Sequence, residues 1–297
     1  MGLRPAWLVT AVAVAVTGCG TSDEPQADPP GTIAVVASTN VWGSVVRAVG
    51  GDKVSVRSVI DDPSADPHSF EVPPADAAAV ARARLVVYNG GGYDDFITPL
   101  TERMGPDSHA IEAFAVSGKP DGANEHVWYD LATVRKVADA VAADLAEIAP
   151  DDADLFAGNV KSFGTRLDEL TTRTTAIGAA KPGGTVAATE PVAAYLIETA
   201  GLTDVTPAEF SEAVEEETDP PAAAVAEVTA LITGKRVSAL VNNVQAETPV
   251  TNGLIESARA GGVPVVAVTE TLPEGVTGYV DWMSAQVDAL ADAMAGT

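Results

Sequence analysis

DDADLFAGNVKSFGTRLDELTTRTTAIGAA, residues 151–180, is a long segment in which apolar residues recur at a helical spacing. Pro150 precedes it, Asp151 or Asp152 can cap its N-terminus, and the Gly-rich stretch after Lys181 ends it. A helix of this length is too long for one lobe. We therefore interpret residues 151–180 as a connecting helix between two halves of the chain.

Short β-branched runs alternate with helical stretches on both sides of this segment. The runs are TIAVVAST (32–39), VSVRSVI (54–60), RLVVYNGGG (84–92), TVAATE (185–190), RVSALVNNV (236–244) and PVVAVTE (264–270). Such alternation is typical of βαβ units and mainly parallel sheets. The sequence thus predicts an α/β fold with two Rossmann-like lobes, an N-terminal lobe at 33–150 and a C-terminal lobe at 181–297. A helix from Asp130, with apolar residues on one face, completes the first lobe.

The N-terminal region has the pattern of an export signal. Arg4 precedes an apolar run from Ala6 to Val16, which is shorter than the roughly 20 residues of a membrane-spanning helix. VTG before Cys19 resembles the lipobox of bacterial lipoproteins, so we expect a signal peptide at 1–18 and a lipid anchor on Cys19. The alternative is a stray cysteine at the end of a cleaved peptide. Residues 19–32, polar and Pro-rich, suit a flexible tether to the cell membrane.

Charge and cysteine content exclude several classes of function. The chain has 42 Asp and Glu residues against 17 Lys and Arg, a formal net charge of −25 that repels nucleic acid and favours cationic partners. Much of this acidity can simply keep an exported protein soluble. Because Cys19 is the only cysteine, an intramolecular disulfide and a Cys-based zinc site are both excluded.

Two of the three histidines occupy loops that suit ligand binding. His68 follows the strand ending at Ile60, and His126 immediately precedes the helix that Asp130 caps. Loops at the carboxyl ends of parallel strands are the usual ligand sites of α/β sheets, although either histidine alone could be an ordinary loop residue. His109 has no comparable setting, and we interpret it as a surface residue.

Glutamates end two apolar strands of the second half. Glu190 closes TVAATE and Glu270 closes PVVAVTE. The alternative role of each is to border the next helix N-terminus, where a negative charge is favourable by about 0.3–1 kcal/mol. Joined with His68 and His126, these carboxylates would form a site for one divalent first-row metal, Mn²⁺ or Zn²⁺, with Fe²⁺ as a third candidate.

DPHSFEVPPAD (66–76), NEHVWYD (124–130), TEPVAAYL (189–196) and VTETLPEGVTGYVDWM (268–283) resemble successive motifs of the metal-binding lipoproteins of bacterial ABC importers, the ZnuA/TroA/PsaA-like family. The resemblance implies two α/β lobes joined by a rigid helix, a metal between the lobes, and delivery to an ABC permease in the membrane. His68 and His126 match the first-lobe ligands. Glu190 matches a position that is Glu in manganese-type members and His in many zinc members.

Some positions depart from the family pattern. Glu270 stands where the family usually has Asp, and Glu274 or a water is the alternative fourth ligand. FAVSGKPDGANEH (114–126) contains no His-rich loop, which together with Glu190 favours manganese over zinc. We expect a monomeric binding protein rather than an enzyme. The alternatives are a secreted metal-dependent hydrolase, although no HExxH motif occurs, and a cell-adhesion or scaffold lipoprotein.

Overall fold

The computed structural model describes residues 2, 29–62 and 70–296. Cys19, the predicted lipidation site, and His68, a predicted metal ligand, lie outside the described residues, as do most of the signal peptide and most of the tether. The predictions for these residues are therefore not tested by the structure.

The first lobe is built on a four-stranded parallel sheet. Its strands are β1 (Ile33–Thr39), β2 (Val54–Ile60), β3 (Leu85–Tyr88) and β4 (His109–Glu112), in the order β2-β1-β3-β4. Its helices are α1 (Asn40–Gly50), α2 (Pro74–Arg82), α3 (Thr98–Thr101), α4 (Ala113–Ser117) and α5 (Leu131–Ile148). Asp130 caps α5 as predicted, because its side chain accepts a hydrogen bond from the backbone N–H of Ala132.

The connecting helix α6 (Ala153–Ala180) follows a 3-10 turn at Pro150–Asp152. Asp152, one of the two predicted caps, occupies the N-cap position of α6, but its side chain makes no capping hydrogen bond and forms an ion pair with Lys53 at 2.7 Å instead. Gly178 lets the helix approach the second lobe closely, since a Cβ there would meet the carbonyl oxygen of Ala200 at 2.2 Å. No helix among the described residues combines the length and the hydropathy needed to cross a membrane.

The second lobe repeats the topology of the first. Its strands are β5 (Thr185–Ala188), β6 (Thr203–Asp204), β7 (Ala239–Asn243) and β8 (Val265–Val268), all paired in parallel in the order β6-β5-β7-β8. Its helices are α7 (Ala194–Thr199), α8 (Ala208–Glu215), α9 (Ala222–Thr233), α10 (Pro249–Gly261) and α11 (Tyr279–Ala295). The predicted α/β fold of two lobes with parallel sheets and a long helix between them is confirmed. The short strands β4 and β6 and the helices α8 and α9 were not predicted.

A continuous apolar cluster joins the lobes and α6. The face of α6 that packs into it consists of Phe156, Phe163, Leu167, Leu170 and Ile177. An aromatic seam of Trp128, Tyr129, Tyr279 and Trp282 connects the end of the first lobe with α11. The hydroxyl of Tyr279 donates to the carbonyl oxygen of Trp128 at 2.7 Å. The hydroxyl of Tyr129 donates to the carbonyl oxygen of Thr269 at 2.7 Å. The two tyrosine hydroxyls are thereby satisfied, whereas Nε1 of Trp128 is buried without a hydrogen-bond partner among the described residues.

Candidate metal centre

His126 is fixed at the end of the loop that leads into α5. It is 1% exposed, and its backbone N–H donates to Oδ1 of Asn124 at 2.8 Å. The same oxygen lies 2.9 Å from Nδ1 of His126. Because Nδ2 of Asn124 donates to the carbonyl oxygen of Pro191 at 2.7 Å, the atom facing His126 is the amide oxygen. Nδ1 therefore carries a proton, and in the neutral imidazole the lone pair is on Nε2, the atom that could coordinate a metal.

Glu190 lies two residues beyond β5 and is 6% exposed. Its side chain makes no capping hydrogen bond to the 3-10 turn at Pro191–Ala193, so the capping alternative has no support in the contacts. Oε2 accepts a hydrogen bond from Nδ2 of Asn243 at 2.5 Å. Burial raises the pKa of Glu190 to about 7; Asn243 opposes this shift, and the charge of Glu270 adds to it.

Glu270 lies two residues beyond β8 and faces Glu190. Its Oε1 accepts a hydrogen bond from the same Asn243 amide at 2.8 Å, and its Oε2 accepts one from the hydroxyl of Tyr93 at 3.0 Å. The backbone N–H of Glu270 donates to Oε1 of Gln245 at 2.5 Å. Glu274, the alternative to Glu270, is exposed. Of these two glutamates, Glu270 is therefore the one that the contacts place beside Glu190.

Asn243 and Tyr93 hold the carboxylates, and neither was predicted from the sequence. Asn243 is the last residue of β7, so the rule that singled out Glu190 and Glu270, a polar residue at a strand end, could have found it. Tyr93 follows the glycines after β3 and packs its ring against His126, with centroids 5.8 Å apart. It thus links the first-lobe histidine to a second-lobe carboxylate.

Two further carboxylates approach His126. A ligand atom from each of Glu125, His126 and Glu215 lies within 4.8 Å of the others, and Oε1 of Glu215 is 3.6 Å from Nδ1 of His126. Burial raises the pKa of Glu215 to about 8, and the charges of Glu125, Glu190 and Glu270 raise it further. Glu215 ends α8, a helix that was not predicted.

His109 takes no part in this centre. It begins β4 and places Nδ1 3.2 Å from Asp144, near the C-terminal end of α5, with Glu147 close by. His126 precedes the N-terminal end of the same helix, so the two histidines are separated by roughly 20 Å of helix at 1.5 Å per residue. His109 is half-buried rather than on the open surface, so the predicted exposure is corrected. Its position outside the centre agrees with the prediction.

The donors gathered at the centre are an imidazole nitrogen and carboxylate oxygens. The side chains that hydrogen-bond to Glu190 and Glu270 in the contacts above, Asn243 and Tyr93, are neutral. Mixed nitrogen and oxygen ligands without thiolate suit Mn²⁺, Fe²⁺ or Zn²⁺. The cluster is therefore chemically suited to a divalent cation held between the lobes.

The family model described as ZnuA, zinc-uptake complex component A, periplasmic, matches residues 35–293. The chain belongs to the ZnuA family. The match runs from β1 into α11 and so covers both lobes and the connecting helix.

Sequence relatives and solved structures agree with this assignment. The chain is 27% identical over 169 residues to the manganese-binding lipoprotein MntA of Halalkalibacterium halodurans, a match that covers 55% of this chain and 56% of the relative. The chain thus spans about half the length of the curated relatives it matches.

Two solved structures share the fold across nearly the whole described chain. The periplasmic zinc-binding protein TroA of Treponema pallidum superposes with a TM-score of 0.72 at 18% identity, covering 89% of this chain and 99% of TroA. FpvC of Pseudomonas aeruginosa, solved in complex with Mn²⁺, has a TM-score of 0.72 at 19% identity, covering 89% of this chain and 99% of FpvC. At these identities the superpositions establish the fold alone.

Proposed function

We propose that this protein captures a divalent transition metal, Mn²⁺ or Zn²⁺, outside the cytoplasm and delivers it to an ABC permease. The observation that carries the proposal is the contact of Tyr93 with both lobes: its ring packs against His126 of the first lobe, and its hydroxyl donates to Glu270 of the second. Glu270 in turn shares the amide of Asn243 with Glu190. These side chains belong to different lobes, and neutral donors hold the two carboxylates beside each other. Membership of the ZnuA family and the printed functions of the relatives support the same conclusion.

The proposed ligands are His68, His126, Glu190 and Glu270. His68 enters on its sequence motif alone, whereas His126 and Glu190 are supported by their burial and contacts, and Glu270 by its contacts. Two imidazoles and two carboxylates neutralise a divalent cation, and manganese accepts such oxygen-rich sites readily. The metal is cargo in this proposal, so the site must bind it tightly and also release it.

We propose binding rather than catalysis. Four protein ligands leave little open coordination for a substrate or an activated water, which a metal-dependent hydrolase requires. The buried amide of Asn243, itself bonded to both glutamates, holds the carboxylates in place. This arrangement fits metal retention better than turnover.

The lipid anchor on Cys19 and the partnership with a membrane permease belong to the same proposal. Their support is the lipobox-like VTGC and the word lipoprotein in the names of several relatives. We infer a monomer tethered at the outer face of the cell membrane. Labelling of the expressed protein with a radioactive fatty acid, and its loss in Cys19→Ser, tests the anchor.

Elemental analysis of protein purified without chelator tests the proposed function. We expect one divalent ion per chain after incubation with Mn²⁺ or Zn²⁺, and its loss after dialysis against EDTA. Competition of the two metals then ranks them, bearing in mind that zinc exceeds manganese in raw affinity for most nitrogen and oxygen sites. A folded protein that retains neither metal contradicts the proposal.

A further inference from the structure

Two acceptor oxygens, from different lobes, lie on the Nδ1 side of His126. Oδ1 of Asn124, from the first lobe, is at 2.9 Å, and Oε1 of Glu215, from the second lobe, is at 3.6 Å. Asn124 already uses its oxygen for the backbone N–H of His126 and its amide nitrogen for Pro191. Oδ1 of Asn124 is thus shared between two donors, whereas Oε1 of Glu215 needs only a small displacement to reach hydrogen-bond distance from Nδ1 of His126.

Oε1 of Glu215 is buried and has no hydrogen-bond partner among the described residues. A buried carboxyl oxygen without a partner loses its hydration without compensation, which is costly unless it has a function. Its place is fixed by its helix, because Phe210 and Val214 of α8 are buried in the core of the second lobe. Glu217, with φ at 53°, lies just after the helix in the left-handed region. The carboxylate is therefore held at His126 by packing behind it.

We propose that Glu215 is a positioning residue for His126, and this inference rests on the proposed metal-binding function. When Nε2 of His126 holds the metal, the ring becomes a stronger Nδ1–H donor, and Oε1 of Glu215 accepts this hydrogen bond together with Asn124. Metal-bound histidines characteristically donate their second N–H to a carboxylate or carbonyl, which fixes the ring and raises its basicity. Here that carboxylate comes from the opposite lobe, so it couples the metal ligand of the first lobe to the position of the second.

Substitutions of Glu215 distinguish a positioning residue from a metal ligand and from a residue that acts through its charge alone. Glu215→Gln keeps an acceptor oxygen at the same reach but loses the charge, Glu215→Asp keeps the charge but shortens the reach, and Glu215→Ala loses both. Glu212→Ala is the matched control, because Glu212 lies one turn earlier on α8 and is exposed. Thermal melting verifies that each variant is folded before its affinity is measured.

Titration of Mn²⁺ and of Zn²⁺ into each variant by competition with a chromophoric chelator tests the proposal. We expect Glu215→Ala and Glu215→Asp to bind about 10- to 100-fold more weakly than wild type, the range for loss of a residue that orients a ligand. Glu215→Gln should retain most of the affinity, and Glu212→Ala all of it. If Glu215→Asp binds like wild type while Glu215→Gln is as weak as Glu215→Ala, the charge acts alone and the proposal is overturned.

A second measurement follows the proton itself. In zinc-loaded protein with ¹⁵N-labelled histidine, we expect a slowly exchanging Nδ1–H resonance of His126, displaced in Glu215→Ala and restored in Glu215→Gln. An unchanged resonance in Glu215→Ala overturns the inference. Folded wild type that binds neither metal instead contradicts the proposed function, so the two failures are distinguishable.

Discussion

Asn40 and Leu272 exchange two hydrogen bonds across the boundary between the lobes. Nδ2 of Asn40 donates to the carbonyl oxygen of Leu272 at 3.1 Å, and the backbone N–H of Leu272 donates to Oδ1 of Asn40 at 2.9 Å. Both residues are buried. Leu272 follows Glu270, a proposed ligand, by two positions. This reciprocal pair of hydrogen bonds therefore anchors the loop that carries Glu270 to the first lobe.

Replacing Asn40 by Ala should destabilise the protein. The backbone N–H and carbonyl of Leu272 would remain buried without partners, and each such group costs about 1–3 kcal/mol. Urea unfolding of the metal-free protein should show the loss as a lower midpoint with an unchanged slope. Asn252→Ala, at an exposed position of α10, is the control and should unfold like wild type. Equal midpoints for the two variants would contradict the inferred role of Asn40.

Metal affinity should depend on His126 and not on His109. His126→Ala removes a proposed ligand, so its affinity should fall by more than the roughly 100-fold upper range for residues outside the coordination shell. His109→Ala should bind like wild type, because His109 pairs with Asp144 at the far end of α5. Isothermal titration with Mn²⁺ measures both. A comparable loss in the two variants would remove His126 from the site.

Glu270 and Glu274 should respond differently to substitution. Glu270→Ala should sharply weaken metal binding and leave the fold intact, whereas Glu274→Ala, at an exposed position, should have little effect. Glu270→Asp should be milder than Glu270→Ala, because it restores the family's usual residue on a shorter stem. Titrations of Mn²⁺ and Zn²⁺ into the three variants measure this. Unchanged affinity in Glu270→Ala excludes Glu270 as a ligand.

The metal-free protein should become less stable as the pH rises from 5.5 to 8.5. Burial raises the pKa of Glu190 to about 7, of Glu215 to about 8 and of Asp94 to about 6. Unfolded carboxyls titrate near pH 4, so the folded chain holds more protons in this interval, and its stability is lost as the pH passes through the raised values.

Thermal melting in EDTA at a series of pH values measures this dependence. Glu190→Gln is the control, since a neutral side chain at that position should flatten the decline. Added Mn²⁺ should raise the melting temperature most at the alkaline end, because the metal requires ionised carboxylates and displaces their protons. A melting temperature that increases with pH in the metal-free protein would refute the assignment of raised pKa values.

Metal loading should move the lobes only modestly. In the part of the chain that the structure describes, the lobes are joined by the helix α6 and a shared apolar cluster, and a helix bends less readily than a pair of extended strands. The Asn40 and Leu272 contact restrains them further. Small-angle X-ray scattering of metal-free and metal-loaded protein should therefore give nearly equal radii of gyration, and a large compaction would contradict the rigid connection.

The sequence predicts the fold where the patterns are long or strongly apolar. Residues 33–39 and 151–180 are such segments, and the structure places a strand and a helix there, whereas the two residues of β6 carry no readable pattern. Strand ends likewise pointed to Glu190 and Glu270, because polar residues after buried runs lie at the mouth of a parallel sheet.

Other residues of the centre could not be chosen from sequence alone. Glu215 begins a run of three glutamates, and only the rotation of α8, set by the burial of Phe210 and Val214, decides which carboxylate meets His126. Tyr93 acts across the lobes, a contact that local patterns do not encode. Such residues depend on the packing of distant segments.

The aromatic seam between the first lobe and α11 affects how this chain is made. Synthesis proceeds from the N-terminus, so Trp128 and Tyr129 emerge from the ribosome well before Tyr279 and Trp282, their partners in the seam. Until α11 emerges, that surface of the nascent first lobe remains uncovered and is available to chaperones and proteases. Native packing must therefore await a nearly complete chain, and a product that ends before Tyr279 should be cleared as misfolded.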